Sequence, residues 1–163
     1  MDIKLDNQIL GIKYYIFYYY SLMYNKMSMS SIVDTPGRIQ TFLKKKKNII
    51  ANFQKKHSIE KRKSESFRIL EEYPNRVPII CERANKDVVE LDRKKYLVPS
   101  DLTMGNFMYV IRKRLSLAQE VAIYLFINNK IMPTSMTMDE IYNKHKNDDG
   151  FLYIYYSGES TFG

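Results

Sequence analysis

The pattern of apolar and polar residues predicts a helix and then a strand at the start of the region from residue 51 onward. Residues 59–72 are rich in helix formers, Ser58 is available as an N-cap, and Tyr73 precedes a proline that ends the helix. Residues 77–83 then alternate, which is the periodicity of a strand. One face of that strand carries Val77, Ile79 and Cys81, and the other carries Pro78, Ile80 and Glu82.

A second strand and a second helix follow the polar loop of residues 84–92. The strand covers residues 94–98 and is closed by Pro99, which cannot donate a ladder hydrogen bond and therefore indicates a sheet edge. Thr103 caps the helix. Its apolar residues recur at spacings of three and four, as expected when one helical face packs on a core: Met104, Phe107, Met108, Ile111 and Leu115.

The third group of elements is short. Residues 121–127 form a continuous apolar strand, Asn128 and Asn129 supply a tight turn, and residues 130–132 begin a return strand. Thr137 and Glu140 then have the spacing of a capping box for a short helix that ends near His145.

The last predicted strand is the element around which the others are arranged. An acidic turn closing on Gly150 precedes residues 151–156, which are aromatic or aliphatic without polar alternation. Such a strand is covered on both faces and lies centrally in its sheet. The order of elements predicts an α+β fold, a ubiquitin-like β-grasp with a four-stranded mixed sheet on one main helix, preceded by N-terminal helices.

A polar tail follows the last strand and ends at Gly163. We expect residues 157–161 to form an extended, unstructured tail. Because glycine has no Cβ, its carbonyl can be approached closely, which suits a chain whose terminal carboxylate reacts in a narrow active site. A frayed polar tail with no function is the ordinary alternative.

Residues 1–50 differ from the rest, and we divide the chain into a 1–50 extension and a 51–163 domain. The Tyr-rich stretch from Tyr14 to Tyr24 is too short to span a bilayer, and acidic residues near the start disfavour a secretory signal. The Ser/Met patch, the Thr35-Pro36-Gly37 breaker and the run Lys44–Lys47 are typical of a disordered linker. A translation start at Met27 or Met29, which would make the Tyr-rich piece an artefact of the gene annotation, stays open.

Composition excludes several classes of protein. The formal charge is +8, and residues 1–50 contribute +5 of it through 8 Lys and Arg against 3 Asp, so the domain itself is only mildly basic. One Cys and two His exclude an internal disulfide and disfavour a zinc site, and we predict neither a metal nor a cofactor. The basic runs also lack an aromatic stacking motif, so we expect no specific nucleic-acid binding.

Several blocks of sequence resemble the autophagy ubiquitin-like modifiers, that is, the GABARAP-like or autophagy-related protein eight family. They occur in the same order over residues 51–163: 60–64 (EKRKS), 73–82 (YPNRVPIICE), 94–103 (KKYLVPSDLT), 111–114 (IRKR), 125–129 (LFINN), 133–135 (PTS) and 150–153 (GFLY).

The resemblance implies a modifier rather than an enzyme. The carboxylate of Gly163 would be adenylated by an activating enzyme, passed as a thioester to a conjugating enzyme, and transferred to phosphatidylethanolamine. Phe162 would act as an apolar grip beside it. No residues follow this glycine in the sequence, so activating proteolysis would not be needed, while a deconjugating cysteine protease could still release the lipidated form. The implied location is the cytoplasm and the autophagosome or a related membrane, as a peripheral, lipid-anchored protein.

The resemblance also implies docking of receptors that carry short aromatic-x-x-aliphatic motifs with acidic flanks. A peptide would add to the exposed edge strand through main-chain hydrogen bonds. The pocket for the aromatic anchor would be lined by Ile69, Pro78, Ile80, Lys95, Leu97 and Phe151, with Glu65 at its edge. The aliphatic pocket would be formed by Tyr96, Val98, Pro99, Leu102, Phe107 and Val110, and the acidic flank would be attracted by Arg76, Arg93, Lys95 and Arg114.

Departures from the family leave alternatives. The loop of residues 85–92 is one residue shorter than in relatives, Arg93 replaces a common Lys, and the 50-residue extension has no counterpart. The alternative function is a non-conjugated adaptor that binds peptides, lipid or microtubules through its basic N-terminal region. An enzyme would need Cys81 as nucleophile with His57 or His145 as base, but Cys81 shares the apolar face of its strand, which favours an inert thiol.

Overall fold

The computed structural model of this chain describes residues 51–86, 88–118 and 120–158. The predictions for the 1–50 extension, including the division of the chain at residue 50, lie outside these described residues. The predictions for Gly163, Phe162 and the last residues of the tail lie outside them as well.

Four helices and five strands make up the described part. In chain order they are α1 Asn52–Lys56, α2 Ile59–Glu72, β1 Arg76–Arg83, β2 Lys95–Pro99, α3 Met104–Arg114, β3 Ile123–Ile127, β4 Lys130–Ile131, α4 Met138–His145 and β5 Leu152–Gly158. The strands form one sheet in the order β2-β1-β5-β3-β4. The pair β1–β5 is parallel, and the other three pairs are antiparallel. The predicted α+β, ubiquitin-like β-grasp class is confirmed.

The apolar run at the end of the chain occupies the place that its composition predicts. β5 lies at the centre of the sheet, between β1 and β3, and all seven of its residues are buried. β2 lies at the sheet edge, as Pro99 indicates. The first prediction follows from the hydrophobic effect, because a strand without polar alternation needs apolar cover on both faces. The second follows from hydrogen bonding, because a proline has no N–H for a ladder and is therefore found at edges or outside the paired part of a strand. Pro78 of the internal strand β1 obeys the same rule, since the pairing of β1 with β5 begins only at Ile79.

The predicted helix starts and turns are also confirmed. The side chains of Ser58, Thr103 and Thr137 each accept a hydrogen bond from the backbone of the residue three positions later, and Thr137 with Glu140 forms the capping box. Asn128 and Asn129 both have positive φ, of 50° and 59°, as a tight hairpin turn requires.

Four details differ from the sequence predictions. The sheet has five strands rather than four, because the two-residue β4 pairs with β3. β3 begins at Ile123 rather than at residue 121, since the Val121 amide closes a turn on the Ala118 carbonyl. The sequence predicts N-terminal helices but locates only the one at residues 59–72, and the structure adds α1 ahead of it. Finally, Ser157 and Gly158 belong to β5, where they pair with Tyr124 and Ile123, so the predicted unstructured tail does not include them.

The helices α2 and α3 cover opposite faces of the β1–β2 hairpin. Phe107 of α3 packs edge-on against Tyr96 of β2, with ring centroids 5.7 Å apart. Lys95, the preceding residue, reaches Glu65 of α2. Because successive side chains of a strand point to opposite faces, α2 and α3 lie on opposite sides of this hairpin.

Candidate functional site

The edge strand β2 offers backbone groups to an added strand. The Cys81 amide donates to the Lys94 carbonyl at 2.7 Å, and the register continues through Ile79↔Tyr96. Since hydrogen-bonded pairs alternate in an antiparallel ladder, Lys95 and Leu97 direct their backbone N–H and C=O groups away from β1. Within the described residues, β2 pairs with β1 alone, so this edge fits strand addition by an extended peptide.

The predicted pocket residues divide between the two faces of this hairpin. Pro78 lies opposite Leu97 and Ile80 opposite Lys95, on the side that α2 covers. Tyr96 and Val98 lie on the side of α3. Strand alternation therefore gives one edge strand two separate apolar sites, one for each anchor of the expected motif.

The aromatic-anchor face consists of the predicted lining residues Ile69, Pro78, Ile80, Leu97 and Phe151, together with Lys95 and Glu65. The five apolar residues are buried, with Phe151 only 2% exposed. Lys95 Nζ lies 2.5 Å from Glu65 Oε1, and both side chains are partly exposed. The ion pair therefore covers an apolar floor, and an aromatic ring can enter only when the Lys95 side chain moves.

The aliphatic face is formed by Tyr96, Val98, Leu102 and Phe107, which are buried, with Pro99 and Val110 half-buried around them. Phe107 and Val110 lie one turn apart on α3, on the side that approaches β2. Burial raises the pKa of the Tyr96 hydroxyl above its ordinary value, so Tyr96 is a neutral packing residue. The face offers aliphatic and aromatic carbon with few polar atoms.

The four predicted cations do not form one group. Arg114 Nη1 lies 3.6 Å from Asp92, and its guanidinium lies 5.7 Å from the Tyr96 ring. Arg93 Nε lies 4.0 Å from the same Asp92 carboxylate, and Lys95 is paired with Glu65. Arg76 is half-buried at the start of β1. An acidic peptide flank would therefore compete with two carboxylates: Asp92, which the sequence did not single out, and Glu65, which was predicted at the pocket edge but not as the partner of Lys95.

A buried carboxylate fixes the floor of the aromatic-anchor face. Asp149, 2% exposed, accepts hydrogen bonds from Arg62 Nε at 2.7 Å, the Tyr153 hydroxyl at 2.7 Å and the Phe151 amide at 3.1 Å. Arg62 also donates to the Gln54 carbonyl at 2.9 Å. Since buried charge is tolerated only with such partners, the network fixes α2 and Phe151 relative to each other.

Phe53 of α1 is a contact of this face that sequence reasoning missed. Its ring lies 5.5 Å from the Phe151 ring at 75°, and Lys95 Nζ lies 5.0 Å from its centroid. A five-residue helix gives too short a periodic pattern to be recognised, so only the three-dimensional arrangement reveals it. Glu82 was likewise placed on a strand face without a role, and it caps this helix.

The end of β5 is held by a neighbouring loop. The Tyr156 hydroxyl accepts from the Leu91 amide and donates to the Val89 carbonyl, each at 2.9 Å. Burial raises the pKa of Tyr156 to about 12, so the hydroxyl keeps its donor proton at neutral pH. The described chain ends at Gly158, five residues before Gly163.

Other chemistry finds little support in the described residues. Cys81 is fully buried, and burial raises the pKa of its thiol, which makes it a poor nucleophile. No three His, Cys, Asp or Glu side chains in the described ranges are grouped to hold a metal ion. No helix among those residues has the length and apolar character needed to cross a bilayer.

Comparison with known proteins identifies the family. The sequence profile described as "Autophagy protein Atg8 ubiquitin like" matches residues 61–163. The chain belongs to the Atg8 ubiquitin-like family. It is 56% identical to autophagy-related protein 8d of Arabidopsis thaliana over 115 residues, which is 70% of this chain and 96% of that protein. It is 57% identical to autophagy-related protein 8 of Schizosaccharomyces pombe over 114 residues, 69% of this chain and 94% of that protein.

Solved structures of Atg8 proteins share the fold. The crystal structure of Trypanosoma brucei ATG8 matches with a TM-score of 0.66 and 47% identity, covering 71% of this chain and all of that one. Plasmodium falciparum Atg8, in complex with a Plasmodium falciparum Atg3 peptide, matches with a TM-score of 0.62 and 33% identity, covering 66% of this chain and 96% of that one. The family assignment makes this chain an autophagy protein of the ubiquitin-like type, as the resemblance in the sequence implies.

Proposed function

We propose that this Atg8-family protein is a modifier that is joined through Gly163 to phosphatidylethanolamine and, once anchored, docks receptors with aromatic-x-x-aliphatic motifs. Family membership supports both halves of the proposal. The observation that carries the docking half is the edge strand β2, with outward backbone groups at Lys95 and Leu97 and one apolar face on each side.

The conjugation half depends on reach. Gly163 stands five residues beyond Gly158, the end of β5, and a fully extended chain spans at most about 3.3–3.6 Å per residue, so the upper limit of reach over these five residues is about 18 Å. That length suits insertion of the terminal carboxylate into the active sites of an activating enzyme and a conjugating enzyme. A deconjugating cysteine protease is the expected partner for release. The protein would then lie on the autophagosome or a related membrane as a lipid-anchored, peripheral protein.

The docking half is supported by the chemistry of the two faces. An aromatic anchor would replace the Lys95 side chain over Ile80, Leu97 and Phe151, and strand addition would satisfy the outward backbone groups of β2. Acidic residues beside the motif would compete for Lys95 and Arg114. The peptide complex of the Plasmodium falciparum relative supports peptide binding as a property that this chain shares.

The test of conjugation removes Gly163 alone. In a reconstituted reaction with activating enzyme, conjugating enzyme, ATP and vesicles containing phosphatidylethanolamine, we expect the full chain to become lipidated and the Gly163 deletion to stay unmodified. The fold should be retained, because β5 ends five residues earlier. Thr161→Ser, which keeps the glycine, is the matched control and should react normally. Equal lipidation of the deletion variant would refute the proposed linkage.

The test of docking replaces Leu97 by Ala and measures the affinity for an aromatic-x-x-aliphatic peptide by calorimetry. We expect a loss of about 1–3 kcal/mol, as for other central apolar contacts. Leu97 is 1% exposed, so the change also costs stability, on the order of 2–5 kcal/mol. Leu125→Ala on β3, equally buried and outside both faces, is the control for that cost. Unaltered affinity in Leu97→Ala would remove the aromatic-anchor face from the docking site.

A further inference from the structure

The short helix α1 contacts the aromatic-anchor face through the side chain of Phe53. Phe53 is 7% exposed and packs edge-on against Phe151, with the ring centroids 5.5 Å apart. The same ring lies 5.0 Å from the Lys95 ammonium, which is the group that covers the floor of that face. Phe53 therefore contacts both the floor residue and the covering residue of the candidate aromatic site.

A buried carboxylate holds α1 in this place. Glu82, 4% exposed, accepts hydrogen bonds from the Asn52 amide at 2.7 Å and the Phe53 amide at 3.2 Å, and Lys94 Nζ lies 4.0 Å from it. A helix of five residues has too few internal hydrogen bonds to be stable by itself. The position of Phe53 thus depends on its packing and on the contacts made by Glu82.

We propose that α1 is a positioning element for the aromatic-anchor face, in which Glu82 places Phe53 and Phe53 holds Phe151 in the floor. This proposal rests on the proposed docking function, and it adds that α1 regulates the affinity of the aromatic-anchor face. Attachment of α1 and binding of an aromatic anchor then favour each other, because a coupling free energy between two sites acts in both directions. A partner or modification that detaches α1 would weaken docking without touching the edge strand.

The first test is a double-mutant cycle between Phe53→Ala and the peptide. Three peptides are compared by calorimetry: the aromatic-x-x-aliphatic parent, a version with the aromatic residue changed to Ala, and a version with the aliphatic residue changed to Ala. We expect Phe53→Ala to weaken the parent by about three- to tenfold, the size of an aromatic pair contact. The loss should persist for the peptide without the aliphatic residue and vanish for the peptide without the aromatic one.

Matched variants separate positioning from loss of stability. Phe126→Ala removes an aromatic side chain that is 3% exposed on β3, and we expect it to leave all three affinities unchanged while the protein is folded. Phe53→Leu and Glu82→Gln are milder changes of the α1 contacts, and both should weaken the parent peptide less than Phe53→Ala does, with the same dependence on the aromatic residue. If Phe53→Ala does not fold, Phe53→Leu and Glu82→Gln are used in its place for the same comparison of peptides.

The second test uses the unmodified protein. We expect the parent peptide to slow hydrogen exchange of the Asn52 and Phe53 amides and to leave the amides of α4, Met138–His145, unchanged. If the unmodified protein binds no such peptide, the docking function fails and the α1 proposal with it. If it binds with the expected aromatic dependence, yet Phe53→Ala shows no coupling and α1 exchange is unaltered, the α1 proposal alone is overturned.

Discussion

Replacing Arg62 by Met should destabilise the domain more than any surface change, because it leaves a buried carboxylate without its cation. Arg62 Nε lies 2.7 Å from Asp149, and the two side chains are 11% and 2% exposed. After the change, Asp149 would keep only the Tyr153 hydroxyl and the Phe151 amide as partners. Breaking such a pair costs about 3–5 kcal/mol, a large share of the roughly 5–15 kcal/mol that holds a domain folded.

The unfolding free energy is measured by urea titration followed by circular dichroism. In a parallel thermal scan, the melting temperature of Arg62→Met should be roughly 10–20 °C below that of the unmodified protein. Adding Asp149→Asn removes the charge that Arg62→Met leaves unpaired, so the double variant should be more stable than the sum of the single losses predicts. Arg83→Met, which breaks a partly exposed pair with Glu90, is the control and should change stability by less than about 1 kcal/mol. A loss below about 1 kcal/mol in Arg62→Met would refute the reasoning.

Two further predictions concern the turn at Gly150 and the Tyr156 hydroxyl. Gly150→Ala should lower the unfolding free energy by about 1–3 kcal/mol, because Gly150 has φ +81° and an added Cβ would lie 2.5 Å from Ser66 Oγ. Gly158→Ala is the control and should cost less in the same urea titration, because its Cβ would meet only the end of the Val88 side chain, at 3.2 Å. Burial raises the pKa of Tyr156 from its ordinary value of 10.0 to about 12, so the unfolded chain loses this proton at lower pH than the folded protein does. Stability should therefore fall as the pH rises from 10 towards 12, and Tyr156→Phe should flatten that fall; an unchanged slope in the variant would contradict the assignment.

Local chemistry explains which elements could be predicted from the sequence. Ser58, Thr103 and Thr137 cap helices through bonds to residues three positions away, and Asn128 with Asn129 makes a turn within a few residues. These signals need no tertiary contact. The two-residue β4 is a return strand that the Asn128-Asn129 turn also predicts, but its place as a fifth strand of the sheet depends on its pairing with Phe126 and Ile127 of β3.

The residues of the two candidate faces were named from a resemblance, and their contacts came only from the structure. Alternation along β1 and β2 places Pro78 and Ile80 apart from Val77 and Ile79, which the sequence shows directly. It does not show that Lys95 is held by Glu65, thirty residues away, or that Arg114 is paired with Asp92. The resemblance implies that these charges attract an acidic flank, whereas in the structure Lys95 and Arg114 already have carboxylate partners.

By itself the sequence determined the class of fold, the central place of β5 and the edge position of β2. An unbroken apolar run must be buried on both faces, and a proline cannot donate a ladder hydrogen bond, and both properties can be recognised within one segment. Tertiary structure alone decided that Phe53 of α1 lies against Phe151, and that Glu82 caps α1 from thirty residues away. It also decided that Ser157 and Gly158 extend β5, since Tyr124 and Ile123 of β3 pair with them. Contacts between distant segments depend on how the whole core packs, so they cannot be predicted from the pattern of residues within any one segment.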